Sequence, residues 1–155
     1  GDWSSDVCSS DLTVFRQCMF AEFEKITHEK IEQGNPLSPE DLCKIYHDLN
    51  VKYFGPDMVV DSGIDMEWSR IPHFYNDFYV YQYTTGFAAA NSFSKMIVEE
   101  GSSAVERYIG FLKSGGSDYP ISILKKAGVD MSSPKPLKDT IKRFDELLGM
   151  LEKEM

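Results

Sequence analysis

The chain has 155 residues, 42% of them hydrophobic, which is the size and composition of one domain with a buried core. No apolar run approaches the roughly 20 residues of a membrane span, and no basic start leads into an apolar stretch as in a secretory signal. A net charge of −9 speaks against a nucleic-acid partner, whose phosphates an acidic surface repels. Cysteines stand at 8, 18 and 43 with no C-x-x-C pair, which suggests reduced thiols, a cytoplasmic setting and no cysteine zinc site.

Residues 1–12 (GDWSSDVCSSDL) carry no helical period and are rich in Ser and Asp. They resemble a translated sequencing adapter, and the reading is a non-native or disordered tail that packs on nothing. The alternative is a genuine flexible tail. From Thr13 the pattern is helical. Phe15, Cys18, Met19, Phe23 and Ile26 share a face of a helix ending near Gly34. Ser38-Pro39-Glu40-Asp41 supplies an N-cap, Pro at the first helical position and acids in the first turn. Gly55-Pro56 ends that element.

Residues 56–76 read as a loop with room for a short strand at 58–60. Asn76 or Asp77 is expected to cap a long helix ending at Gly101. Ser103 and Glu106 form the pattern of a capping box for the next helix, which ends at Gly115-Gly116. Pro120 opens a short helix that Gly128 closes, and a last helix carries Leu137, Ile141, Phe144, Leu148, Leu151 and Met155 on one stripe. The expected fold is all-α, with about six helices and no sustained strand alternation.

Three histidines are the first candidates for chemistry. His28-Glu29 opens like a zincin motif, but the second His would fall at position 32, which is Glu, so His28 reads as a solvated helix residue. His47 reads the same way. His73 lies in Trp68-Ser69-Arg70-Ile71-Pro72-His73-Phe74-Tyr75, shortly before Tyr79 and Tyr83. Those tyrosines are four apart, so their hydroxyls leave one helix face. His73, Tyr79 and Tyr83 together make a donor cluster suited to a developing oxyanion. The competing reading is a packing stripe that continues through Gly86, Ala90, Phe93 and Ile97. The SGGSDY segment, with Gly115, Gly116 and Ser117, reads either as a substrate-side loop or as a plain helix-to-helix turn. Glu22 falls within the apolar face of its helix, and reads either as a paired carboxylate with Arg70 as its candidate partner or as a partly exposed, solvated one.

Four stretches carry a resemblance: FRQCMFAEFE (15–24), YFGPDMVVD (53–61), EWSRIPHFYNDFYVYQYTTGFAAA (67–90) and SGGSDYPISILKKAGVDMSSP (114–134). They resemble the C-terminal region of the oligoendopeptidase F family, which is similar to thimet oligopeptidase, across about residues 13–155. The resemblance implies the C-terminal part of a mostly helical zincin-type catalytic domain, truncated upstream. It implies a cytoplasmic zinc metalloendopeptidase that cleaves short peptides. Its zinc is held by the two His of an H-E-x-x-H helix and a following Glu, all upstream of the residues present, so this chain offers no metal ligand and is expected to be inactive alone. In the family this region supplies a His and Tyr cluster that stabilises the tetrahedral intermediate. His73 and Tyr83 match best as catalytic residues, with Tyr79 next, and Tyr81, Gly115, Gly116 and Ser117 are implied on the substrate side. The spacing from His73 is one residue longer than in the thimet branch, which leaves the second position open among Phe78, Tyr79 and Tyr81. Cys18 stands where a small polar residue such as Thr is expected. Expected partners are short peptides and the missing N-terminal part of the same protein, with no nucleic acid and no membrane. The alternatives are a non-enzymatic helical peptide-binding or scaffolding module, and a related metallocarboxypeptidase.

Overall fold

A computed structural model describes the backbone of residues 3–154 and the side chains of 7–154. In chain order the α-helices are α1 (Trp3–Ser10), α2 (Arg16–Glu32), α3 (Pro39–Phe54), α4 (Tyr81–Glu100), α5 (Ser102–Ser114), α6 (Pro120–Lys126) and α7 (Lys135–Glu154). A π-helical turn (Asp11–Phe15) precedes α2, and two 3-10 segments (Ser62–Arg70 and Pro72–Tyr75) lie between α3 and α4. The described residues contain no strand, and 58–60 is irregular. Among them no helix is long and apolar enough to cross a membrane. The all-α expectation holds.

The chain divides into two units, Asp11–Thr84 and Gly1–Ser10 with Thr85–Met155. In the first, α2 packs on α3, and α3 packs on the Ser62–Arg70 segment. The start of α3 follows its sequence signals. Ser38 accepts from the Asp41 N–H at 3.2 Å, and the Asp41 carboxylate accepts from the Ser38 N–H at 2.9 Å. Two of the amides that a helix start leaves unpaired are thereby satisfied. The core joins Met19, Phe20, Phe23, Tyr46, Leu49 and Val80. Phe23 meets Tyr46 edge to face at 5.3 Å between centroids, and Phe20 stacks on Tyr46 at 6.4 Å. Such pairs add about 0.5–1.5 kcal/mol beyond the area they bury. Trp68 stacks on Phe23, and its indole N–H is buried without an acceptor among the described residues.

A buried carboxylate ties this unit together. Glu67 accepts hydrogen bonds from the Tyr46 hydroxyl at 2.7 Å, Arg16 at 2.6 Å and Arg70 at 2.8 Å. Burial alone would raise its pKa, but the Tyr46 hydroxyl and the two guanidinium groups outweigh that and hold it below the ordinary value. Arg70 is therefore engaged with Glu67. Glu22, for which Arg70 was the expected partner, instead bonds Lys52 at 2.5 Å and the Tyr53 hydroxyl at 2.9 Å. Its pKa is lowered, chiefly by Lys52.

In the second unit, Ala89, Phe93, Ala127 and Val129 form the core, with Met96, Tyr108, Phe111, Leu124 and Met131 packed around them. Gly128 closes α6 with φ of +102°, and a Cβ there would meet the Met96 methyl at 2.7 Å. The positive φ calls for glycine, whereas the Met96 methyl, at the end of a flexible side chain, can move aside.

Several expectations need correction. Residues 3–10 are helical and α1 packs on α7, with Ser10 buried, whereas the sequence suggested a tail that packs on nothing. Residues 1 and 2 and the Trp3 side chain lie outside the described residues. The long helix begins at Tyr81, not at Asn76 or Asp77, because Phe78 takes a left-handed backbone that a helix cannot include. α5 starts on Gly101 without a side-chain cap, so the Ser103–Glu106 pattern makes no capping box. On α7, Leu137 and Ile141 are exposed while Pro136, Thr140 and Leu147 are buried, a stripe turned from the one expected. Met155, the last residue of that stripe, lies outside the described residues.

Candidate active site

The 3-10 turn Pro72–Tyr75 carries His73. Pro72 occupies the first helical position, where its missing N–H costs nothing. Phe74 pins the turn to the core, with its ring 5.6 Å from that of Phe20 and 5.3 Å from that of Phe23. Val80, 1% exposed, pins the start of α4 to the same core. Thr84, one helical turn on, is buried too, and its hydroxyl donates to the Thr13 carbonyl at 3.2 Å. With Val80 and Thr84 facing inward, Tyr79 and Tyr83 emerge beside them.

The three rings close into a triangle. Centroids are 5.6 Å apart for His73–Tyr79, 6.0 Å for His73–Tyr83 and 5.7 Å for Tyr79–Tyr83. The Tyr83 hydroxyl stands 3.4 Å from His73 Nε2, a loose hydrogen bond in which either group can donate. The Tyr83 pKa is raised above its ordinary value of 10.0, first by the Tyr79 hydroxyl beside it and then by desolvation, and like any phenol it is a donor at neutral pH. Tyr79 is 42% exposed and Tyr83 40%, which leaves both hydroxyls reachable. The packing-stripe alternative thus describes Phe93, which is buried, better than these two tyrosines.

Tyr81 is half exposed and leaves α4 about 200° round the helix from Tyr83, outside the ring cluster. Phe78, the other residue at the open position, packs its ring against that of His28 at a tilt, with centroids 4.6 Å apart. Gly115, Gly116 and Ser117 form the turn after α5 in the second unit, where the Ser117 N–H donates to the Ser114 carbonyl at 3.1 Å. Beyond them Asp118 binds Lys126, which lowers its pKa.

His28 and His47 are both engaged. His28 Nδ1 lies 2.7 Å from the Glu24 carbonyl oxygen, and His47 Nδ1 lies 2.8 Å from Asp65. Both lie on helices with side chains more than a third exposed, as the solvated reading expected, and Nδ1 of each ring also has a partner. Among the described residues no group of three His, Cys, Asp or Glu side chains is placed to hold a metal ion, so the residues present do not fit a zinc site. A cleft of about 450 Å3 in the second unit is bordered by Lys95, Glu100, Arg107 and Asp139. Its charges are largely paired with each other, as in Arg107–Glu100 and Lys95–Asp139.

Two residues that shape this site were not singled out from sequence. Glu24 is 3% exposed, and its carboxylate accepts the Phe78 N–H at 2.6 Å. Cys18, read from sequence as part of the apolar face and as a departure from Thr, meets the Thr84 hydroxyl at 3.5 Å. A buried Glu on a helix and a Phe at positive φ leave no mark in periodicity.

Comparison with known proteins bears on the same residues. The model of peptidase family M3 matches residues 3–143. Oligopeptidase PepF of Bacillus subtilis is 59% identical over 140 residues, covering 90% of this chain and 21% of the relative. An oligoendopeptidase F homolog of Borreliella burgdorferi is 49% identical, covering 91% and 24%. The crystal structure of oligoendopeptidase-F from Enterococcus faecium superposes with a TM-score of 0.94 at 45% identity, over 97% of this chain and 29% of that one. The chain thus spans about a quarter of the length of the relatives it matches. Its sequence and its helices together place it in a known group: the chain belongs to peptidase family M3.

Proposed function

We propose that this chain is the part of a zinc-dependent oligopeptidase that supplies donors to the reacting carbonyl, and that it hydrolyses nothing by itself. The zinc and its ligands belong, on this reading, to residues outside the chain. The substrates are short peptides, as the names of the relatives suggest.

One observation carries the reading: an imidazole and two phenols converge on a single accessible spot. When a peptide carbonyl is attacked, its oxygen gains negative charge. The Tyr83 O–H and the His73 ring N–H then donate to that oxygen. Donors fixed before the reaction stabilise it without reorganisation. Tyr79 keeps the Tyr83 proton in place and orients its ring.

Tyr83→Phe in the complete enzyme keeps the ring and removes one donor. The expected result is a fall in kcat of about 10²–10³ on a short fluorogenic peptide, with unchanged zinc content. A kcat within a few-fold of the parent at full zinc content would end the reading.

A further inference from the structure

Glu24 and His28 lie four residues apart on one face of α2, and both touch the segment that leads into the tyrosines. The Glu24 carboxylate accepts the Phe78 N–H at 2.6 Å. The His28 ring lies 4.6 Å from that of Phe78, and its Nε2 is 3.9 Å from an Asp77 carboxylate oxygen. Among the described non-glycine residues, Phe78 alone has positive φ, at 54°. A bulky side chain adopts that backbone only when its surroundings hold it there. A carboxylate buried at 3% exposure likewise needs a fixed donor. Each demand meets the other.

The next residues are the site itself. The Tyr79 N–H donates to the Asn76 carbonyl at 3.1 Å, closing a turn around Asp77 and Phe78. Val80 then enters the core. This non-helical turn sets the Tyr79 ring 5.6 Å from that of His73 and 5.7 Å from that of Tyr83.

We propose that Glu24 is a positioning residue. By holding Phe78 in the left-handed conformation it aims Tyr79, and through ring packing Tyr83, at His73, while His28 braces the Phe78 ring. Its effect on turnover rests on the oxyanion reading of the cluster; its effect on geometry does not.

Two measurements separate these. In the 155-residue chain, Glu24→Leu should speed Phe78 amide exchange at least tenfold and abolish the Tyr79–His73 and Tyr79–Tyr83 proton contacts seen by NMR. Glu24→Gln retains an acceptor oxygen and should keep most of both. In the complete enzyme, Glu24→Leu should lower kcat about tenfold per folded, zinc-loaded molecule, with Glu24→Gln restoring most of it; a residue needed only for stability would change the folded fraction and leave that kcat alone. Ring proximities that persist in the Leu variant overturn the proposal. So does an unprotected Phe78 amide in the unsubstituted chain, a measurement that needs no variant to fold. If the rings separate in the Leu variant while kcat stays unchanged, the positioning role of Glu24 stands and the catalytic role of the cluster falls.

Discussion

The two units handle buried polarity differently. Asp11–Thr84 buries two carboxylates, Glu24 and Glu67, and gives each definite donors. The other unit buries no charged side chain among the described residues, only the Ser10 and Thr140 side chains. Its charges stand in exposed pairs such as Lys125–Asp130 and Arg107–Glu100. A buried carboxylate accepts only the arrangement that satisfies it, whereas an exposed pair can re-form in many ways with water. The unit that holds His73 and the tyrosines therefore fixes its geometry through buried charged anchors, and the other relies on apolar packing with neutral buried polar groups such as Thr140, which donates to the Pro136 carbonyl.

The largest test of that contrast is Glu67→Leu. It leaves Arg16 and the Tyr46 hydroxyl without their shared acceptor, and the expected loss is about 3–5 kcal/mol in urea unfolding. A loss below about 1 kcal/mol would place Glu67 with the surface pairs.

Acid should act on the same anchor. The folded pKa of Glu67 lies below its ordinary value of 4.5, so the ionised form is favoured by folding. Its contribution is full above pH 4.5 and is lost as pH falls through the lower folded value. Thermal unfolding followed downward from pH 5 should show this loss, and Glu67→Gln should flatten it. An identical slope in both proteins would assign acid sensitivity elsewhere.

The smallest effect is expected in the other unit. Asp139 pairs with Lys135 and Lys95 at the surface, and its pKa is lowered chiefly by Lys135. Asp139→Ala should cost less than about 1 kcal/mol and less still in high salt. A cost rivalling that of Glu67→Leu would erase the distinction between the units.

Much of the fold was legible because its signals are local. The cap at Ser38 and the period of α2 and α3 each depend on neighbours in sequence, whereas the helix face expected to carry both Tyr79 and Tyr83 starts only at Tyr81. The family was legible from the stretch around His73. The anchors were not, because each depends on a long-range approach: Glu24 reaches Phe78 across 54 residues, and Arg16 reaches Glu67 across 51. The misplaced start of α4 has the same origin. Asn76 and Asp77 are good caps locally, but a side chain on another helix takes the Phe78 amide and delays the helix to Tyr81. Glu22 drew attention as a carboxylate on an apolar face, yet Glu24, two residues on, is the one that is buried.

Trp68 gives this architecture an optical consequence. The sequence has two tryptophans, Trp3 and Trp68. The indole of Trp68 lies against Phe23, with its N–H sealed from water and unbonded among the described residues. An indole in such surroundings emits at shorter wavelength than one in water. With Trp3 replaced by Phe, the emission colour of the chain becomes a gauge of the Asp11–Thr84 core alone. The red shift on unfolding then reports when the aromatic packing beneath His73 gives way, independently of what happens around Phe93.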